Sequence, residues 1–263
     1  MKIPLAKPMY IRLCHSQKQF CRSSLVLSAC ILAIVVAPAA SKEKEKDPAE
    51  KTVDSGSFGV FSGEHRVATE TFTISQGPGG SVVTSEFKSA QGEQTAEQSS
   101  RLELTPSVEL REYTWKEALP EKTQATVTPN ETFLIERFLV GDKQHEQNFL
   151  LPASTTILDD YFFIQREILA WKYLHTACRS EKGALGCPKG QKMQFGTLNP
   201  HQRSSMDVSI EFGGKEKGTI RGKEQELSRF VLRGETGDWA FWLDDQFKLV
   251  RLRAEAGVEV VRD

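Results

Sequence analysis

Between Asp207 and Phe212 the side chains change character at every step: Val208, Ile210 and Phe212 fall on one face of an extended strand, Asp207, Ser209 and Glu211 on the other. This period of two recurs along most of the chain and constrains it more than any other feature. Residues that alternate in this way build antiparallel sheets with one face on a core and the other in water. Thr69, Thr71 and Thr73 alternate with Ala68, Glu70, Phe72 and Ile74 up to the turn residues Gln76-Gly77-Pro78-Gly79-Gly80. Val83, Ser85 and Phe87 then share a face, so the two runs predict a hairpin. Further strands are expected around residues 102–104, 108–115, 125–128, 133–140, 147–151, 194–198, 218–222 and 227–234. Gly213-Gly214 is expected to end the strand that begins at Asp207. Trp239, Phe241 and Leu243 alternate up to Asp244-Asp245-Gln246, residues 247–252 return, and residues 258–261 predict a closing strand.

One stretch breaks the alternation. From Thr156 through Ala177 there is neither Gly nor Pro, and Thr156 stands three residues before Asp159, a spacing that resembles a helix-capping box. The apolar residues of this predicted helix, among them Leu158, Tyr161, Phe162, Ile164, Ile168, Leu169, Trp171, Tyr173 and Leu174, spread around much of its circumference. A helix apolar on several sides is buried on several sides. The fold expected is therefore mainly β with one principal helix: a curved antiparallel meander sheet, or half-barrel, wrapping that helix.

Residues 1–40 contain Lys2, Lys7, Arg12, Lys18 and Arg22 and no acid, and lead into the apolar run Leu25 to Val36 followed by Ala37-Pro38-Ala39. Basic, then apolar, then Ala-x-Ala is the anatomy of a secretory signal, and the run is shorter than the roughly 20 apolar residues of a spanning helix. A second reading is lipidation at Cys30, because Leu27-Ser28-Ala29-Cys30 resembles a bacterial lipobox, although the apolar run continues past the cysteine. Residues 1–39 are thus expected to be a signal peptide, 40–56 a charged disordered tether, and 57–263 a single β-rich domain. Export implies an oxidising compartment, and of the cysteines outside the signal only Cys178 and Cys187 remain. They are expected to form one disulfide, worth about 2–3 kcal/mol for so short a loop.

Setting the five basic residues of the signal aside leaves 29 Lys and Arg against 35 Asp and Glu, a net charge of −6. With no cluster of basic residues interleaved with aromatics, nucleic-acid binding is not expected. The chain has no Gly-x-Ser-x-Gly elbow, no Walker loop and no Gly-x-Gly-x-x-Gly. His65, His145, His175 and His201 lack the spacing of a zinc site, so neither a metal nor a cofactor is expected. Asp159-Asp160 and Asp244-Asp245 could suggest a carboxylate pair for acid–base work, but adjacent acids point apart, and a helix start and a turn account for them. His175 near Cys178 suggests a Cys–His nucleophile, which a disulfide would consume. Asn130-Glu131-Thr132 is a glycosylation sequon only in a eukaryotic host.

The order of signal, meandering strands, central aromatic-rich helix and closing hairpin resembles a group of uncharacterised bacterial envelope proteins. The segments Ile157-Leu158-Asp159-Asp160-Tyr161-Phe162-Phe163 and Trp242-Leu243-Asp244-Asp245-Gln246-Phe247-Lys248-Leu249-Val250, with the ending Val258-Glu259-Val260-Val261-Arg262-Asp263, carry the resemblance. In architecture the layout is similar to the unclosed β-barrel of the periplasmic lipoprotein carriers and of lipid-binding mycobacterial lipoproteins. The resemblance implies a concave apolar face able to take acyl chains; no ligand-contacting residue carries over. The expectation is an exported, non-enzymatic envelope protein, periplasmic or extracellular, that binds or shuttles a lipid or lipidated protein and meets the membrane only through its signal or a lipid anchor. The alternatives are an interaction module with a fully packed core and an enzyme whose site is assembled from distant residues.

Overall fold

The computed structural model describes residues 50–89, 95–120, 122–181, 184–220, 222–234, 237–255 and 257–263. The expected signal peptide, Cys30 and most of the expected tether lie outside them. Eight strands come first: β1 (Lys51–Ser62), β2 (His65–Gly77), β3 (Gly80–Ser89), β4 (Glu97–Leu104), β5 (Leu110–Leu119), β6 (Thr123–Asn130), β7 (Phe133–Val140) and β8 (Lys143–Phe149). A crossing segment follows with β9 (Thr156–Ile157), α1 (Gln165–Ala177), β10 (Arg179–Glu181) and β11 (Ala184–Gly186). The chain returns through β12 (Lys192–Asn199), β13 (Ser204–Ile220), β14 (Lys223–Gly234), β15 (Gly237–Leu243), β16 (Leu249–Ala254) and β17 (Val258–Arg262).

Fifteen of these strands make one curved sheet, not closed into a barrel, in the order β8-β7-β6-β5-β4-β3-β2-β1-β17-β16-β15-β14-β13-β12-β9. The chain begins in the middle of the sheet and meanders outward to β8. It then crosses the concave side through α1 and meanders back inward to β17, which pairs with β1 in the register Val60↔Val260. All the ladders are antiparallel except the short one at the edge, where β9 runs parallel to β12. The expected hairpin over residues 68–87 is present as β2 and β3, with Gly77↔Gly80 closing it.

The core lies between the concave face and α1. Phe162, Ile164, Leu169, Ala170 and Tyr173 are fully buried, as are Phe58, Ile74, Phe230, Phe241 and Leu252 from the strands facing them. Phe230 is the hub on one side, with Phe241 stacked at 5.2 Å, Phe212 at 5.2 Å and Tyr173 edge-on at 5.6 Å. A second cluster of Leu227, Trp242 and Val250 packs on the opposite face of the sheet.

Three local expectations are corrected. The helix starts at Gln165 and not at Thr156, which belongs to β9. Among the described residues no side chain caps its first turn; instead buried Glu70 of β2 accepts the backbone N–H of Phe163 (2.7 Å) and of Ile164 (3.3 Å), the two residues just before the helix. A carboxyl group supplied through space thus fixes the segment that leads into the helix, in place of the expected cap by a local Thr. Strand β1 begins at Lys51, inside the expected tether, because Asp54 forms an ion pair with Arg262 (2.6 Å) and Lys248 (3.1 Å) far along the chain. Gly213-Gly214 does not end a strand: β13 runs through it on a bulge to Ile220.

Candidate functional site

The cysteines expected to pair do so: Cys178, the C-cap of α1, is bonded to Cys187 with their Cα atoms 4.4 Å apart. The bond fixes the C-terminal end of the helix against the chain leading to β12. Beside that end lie two clefts on the concave side. One, of about 420 Å³, is lined by Leu174, Phe212, Phe230 and Phe247 with Lys215, Glu226, Asp244 and Asp245 at its polar rim. The other, of about 380 Å³, is lined by Val53, Trp171, Leu174, His175, Phe247 and Lys248. Leu174 and Phe247 belong to both, so the Phe247 side chain stands between them.

Phe247 is held in place by the turn that carries it. Asp244 Oδ1 accepts the backbone N–H of Gln246 and of Lys248, both at 2.9 Å, and Asp244 O accepts that of Phe247. Phe247 sits at φ 59°, a left-handed conformation that a bulky residue adopts only under constraint. Trp171 supplies that constraint, its indole N–H donating to Phe247 O at 2.7 Å. The acids Asp244 and Asp245 thus build a turn, as the sequence suggests.

The other end of α1 is polar. Asp159 is fully buried and accepts the Tyr113 hydroxyl at 2.8 Å and the Tyr161 N–H at 3.1 Å. His201 Nδ1 lies 2.7 Å from Asp159 Oδ2, the same oxygen that accepts the Tyr113 hydroxyl, and the imidazole stacks on Trp115 with ring centres 3.8 Å apart. His201 belongs to the turn between β12 and β13. From the same turn Arg203 lies over the Phe138 ring at 4.7 Å, and its carbonyl accepts the Gln147 amide. A turn from one end of the sheet therefore reaches β5, β7 and β8 at the other, bridging the gap that an open sheet leaves.

Several carboxyl groups are buried here. Burial pushes the Glu70 carboxyl up to about 7, against the opposing effect of the Ser85 hydroxyl, the Ile164 and Phe163 N–H groups and Arg166. Burial takes Glu136 up to about 8; Arg203 opposes the rise and the charge of Asp159 adds to it. Both Glu136 oxygens, Trp115 Nε1 and His201 Nε2 are buried without a hydrogen-bond partner among the described residues. Glu167, in the first turn of α1, is raised well above the ordinary carboxylate range by burial, with Asp54 nearby adding to the rise, and accepts the Leu249 N–H at 2.6 Å. Burial would raise Asp54 too, but Arg262 and Lys248 outweigh it and hold this carboxyl below its usual value.

Of the acids and histidines considered from sequence, the structure brings together Asp159 and His201. Asp160 points away, its Oδ2 accepting from Gln202. His65, His145 and His175 are exposed, His145 stacking on Phe138. Among the described residues no group of three or more His, Cys, Asp or Glu side chains could hold a metal ion, and no helix is long and apolar enough to cross a membrane. Glu70 and Glu136 were not singled out by spacing. The one signal for Glu70 is an acid sharing a face with Phe72 and Ile74.

No family model matches the chain, and no curated protein matches it. A solved structure is similar in part: a DUF1089 family protein of Pseudomonas aeruginosa, 10% identical, superposes with a TM-score of 0.43 over 72% of this chain and 90% of its own.

Proposed function

We propose that this is an exported, non-enzymatic protein of the bacterial envelope that binds the acyl chain of a lipid or lipidated partner at the C-terminal end of α1. The observation that carries this reading is the pair of clefts sharing Leu174 and Phe247. Each has the size of a small-ligand pocket and offers aromatic and aliphatic side chains alongside charged ones. The centre of the concave face is filled by α1 itself, which places the ligand beside the helix instead of beneath it. The sequence signal expected for export, the disulfide and a layout that resembles the periplasmic lipoprotein carriers support the compartment and the ligand class. Trp171, in the cleft wall, makes the reading measurable. A brominated fatty acid should quench fluorescence saturably in the wild type, and Trp171→Phe should lose that quenching while Trp115, Trp239 and Trp242 continue to emit. Absence of saturable quenching, with no lipid retained in native mass spectra of the exported protein, would overturn the reading in favour of an interaction module with a packed core.

A further inference from the structure

The convex face of the sheet carries a cleft of about 900 Å³ over β13, β14, β15 and β16. Its floor is made of small or short side chains. Gly213, Val231 and Ala240 lie on neighbouring strands, in the registers Glu211↔Val231, Val231↔Ala240 and Ala240↔Arg253. The bulge at Gly213-Gly214 gives this floor its shape. A Cβ on Gly213 would come within 3.2 Å of Arg229 Nη1, and one on Gly214 within 3.6 Å of the Lys189 side chain. Gly214 moreover sits at φ +110°, which excludes an ordinary side chain. The two glycines thus let Arg229 and Lys189 lie close over the strand.

Lys189 is delivered by a pinned segment. Cys187 is tied to the end of α1, Gln191 N–H donates to Pro188 O, and Gly190 N–H donates to Phe212 O at 2.9 Å. The charges in the cleft do not cancel. Arg233 lies between Glu211 (2.8 Å) and Asp238 (3.2 Å), and Glu211 also receives Lys192 at 3.8 Å, so that group is neutralised internally. Lys189, Arg229 and Arg253 line the same cleft, and none of them makes an ion pair within 4 Å with a described residue. The remaining acid in the lining is Glu255, at the edge beside Ala254 and Gly257.

We infer that this convex cleft is a binding site for a phosphoryl group, held by Arg229 and Arg253 with Lys189 as a third charge. Two guanidinium forks match the oxygens of a phosphate, and a floor without bulky side chains lets the anion approach them. The site lies on the opposite face of the sheet from the acyl-chain clefts and does not depend on them. The same chemistry could be presented by free phosphate compounds or by an anionic lipid headgroup.

Calorimetric titration of the folded protein with inorganic pyrophosphate at low salt tests the site, alongside co-sedimentation with vesicles of phosphatidylglycerol or of phosphatidylcholine. Saturable pyrophosphate binding is expected, weakened about tenfold by Arg229→Gln or by Arg253→Gln and less by Lys189→Gln. Lys116→Gln, on the convex face of the other half, should leave it unchanged. Sedimentation with phosphatidylglycerol alone, lost in the same variants, identifies a headgroup as the source, and pyrophosphate binding without sedimentation identifies a soluble phosphate. The inference is overturned if neither probe binds saturably, or if the Arg229→Gln, Arg253→Gln double variant binds as the wild type does. Because all three basic side chains reach solvent, the melting temperatures of the variants should match the wild type and exclude misfolding as the cause.

Discussion

The two halves of the sheet hold the same helix by different physics. On the C-terminal side, β12 to β17 present Phe212, Phe230, Phe241 and Leu252, and Tyr173 packs among them. On the N-terminal side, β2 to β7 present buried Glu70, Ser85, Gln98, Tyr113 and Glu136, and hold the helix start through directional bonds to Phe163, Ile164 and Asp159. Apolar contact supplies burial free energy without specifying an orientation, whereas hydrogen bonds contribute little net free energy but tolerate only one geometry. The difference teaches that a helix of weak amphipathicity can still be fixed in rotation and depth when one flank is richer in aromatic contacts and the other in buried polar groups.

The contrast can be broken most directly at Phe230. Replacing it with Ala should cost about 3–5 kcal/mol in urea unfolding, since the ring is fully buried and contacted from three sides. A loss below about 1 kcal/mol would mean that the aromatic side does not anchor the helix. The polar side should reveal itself through pH. Glu70 ionises near 4.5 when unfolded and near 7 when folded, so its contribution is complete below 4.5 and lost as the pH rises through 7. Stability should therefore fall by about 3 kcal/mol between pH 4.5 and pH 9 from this residue alone, and Glu136 acts in the same direction up to about pH 8. Glu70→Gln should flatten the profile, and a profile that rises over the same interval would show these carboxyls to be charged in the fold. The smallest effect belongs to His201. Its replacement by Ala should cost about 1–2 kcal/mol, because Asp159 keeps Tyr113 and the Tyr161 N–H. Hydrogen exchange should quicken first at the turn between β12 and β13.

The oily half was the more legible in sequence. Val208, Ile210 and Phe212, or Trp239, Phe241 and Leu243, announce their strands through a period that depends only on neighbours, and the structure puts strands there. The single helix and the open curved sheet follow from the one stretch where that period fails. What stayed hidden depends on partners far away. Asp54 looked like part of a solvated tether because Arg262 lies at the other end of the chain. Thr156 and Asp159 imitate a local cap, while the segment entering α1 is held by Glu70 of β2. Gly213-Gly214 has the composition of a turn, and only the register with β14 makes it a bulge. The disulfide was legible from the cysteines left outside the expected signal, whereas the clefts at Phe247 arise from a turn conformation that no spacing encodes.

The pairing of β1 with β17 has a consequence for the order in which the protein can assemble. A chain emerging from its amino end presents β1 with one side already matched by β2, but the other side stays open until residues 258–262 appear. Throughout synthesis, and throughout any threading across a membrane, Phe58 to Ser62 form a sticky border that invites unrelated strands. Closure of this border thus waits until Val258–Arg262 is available to pair with it, which makes a late-made segment the partner of an early-made strand.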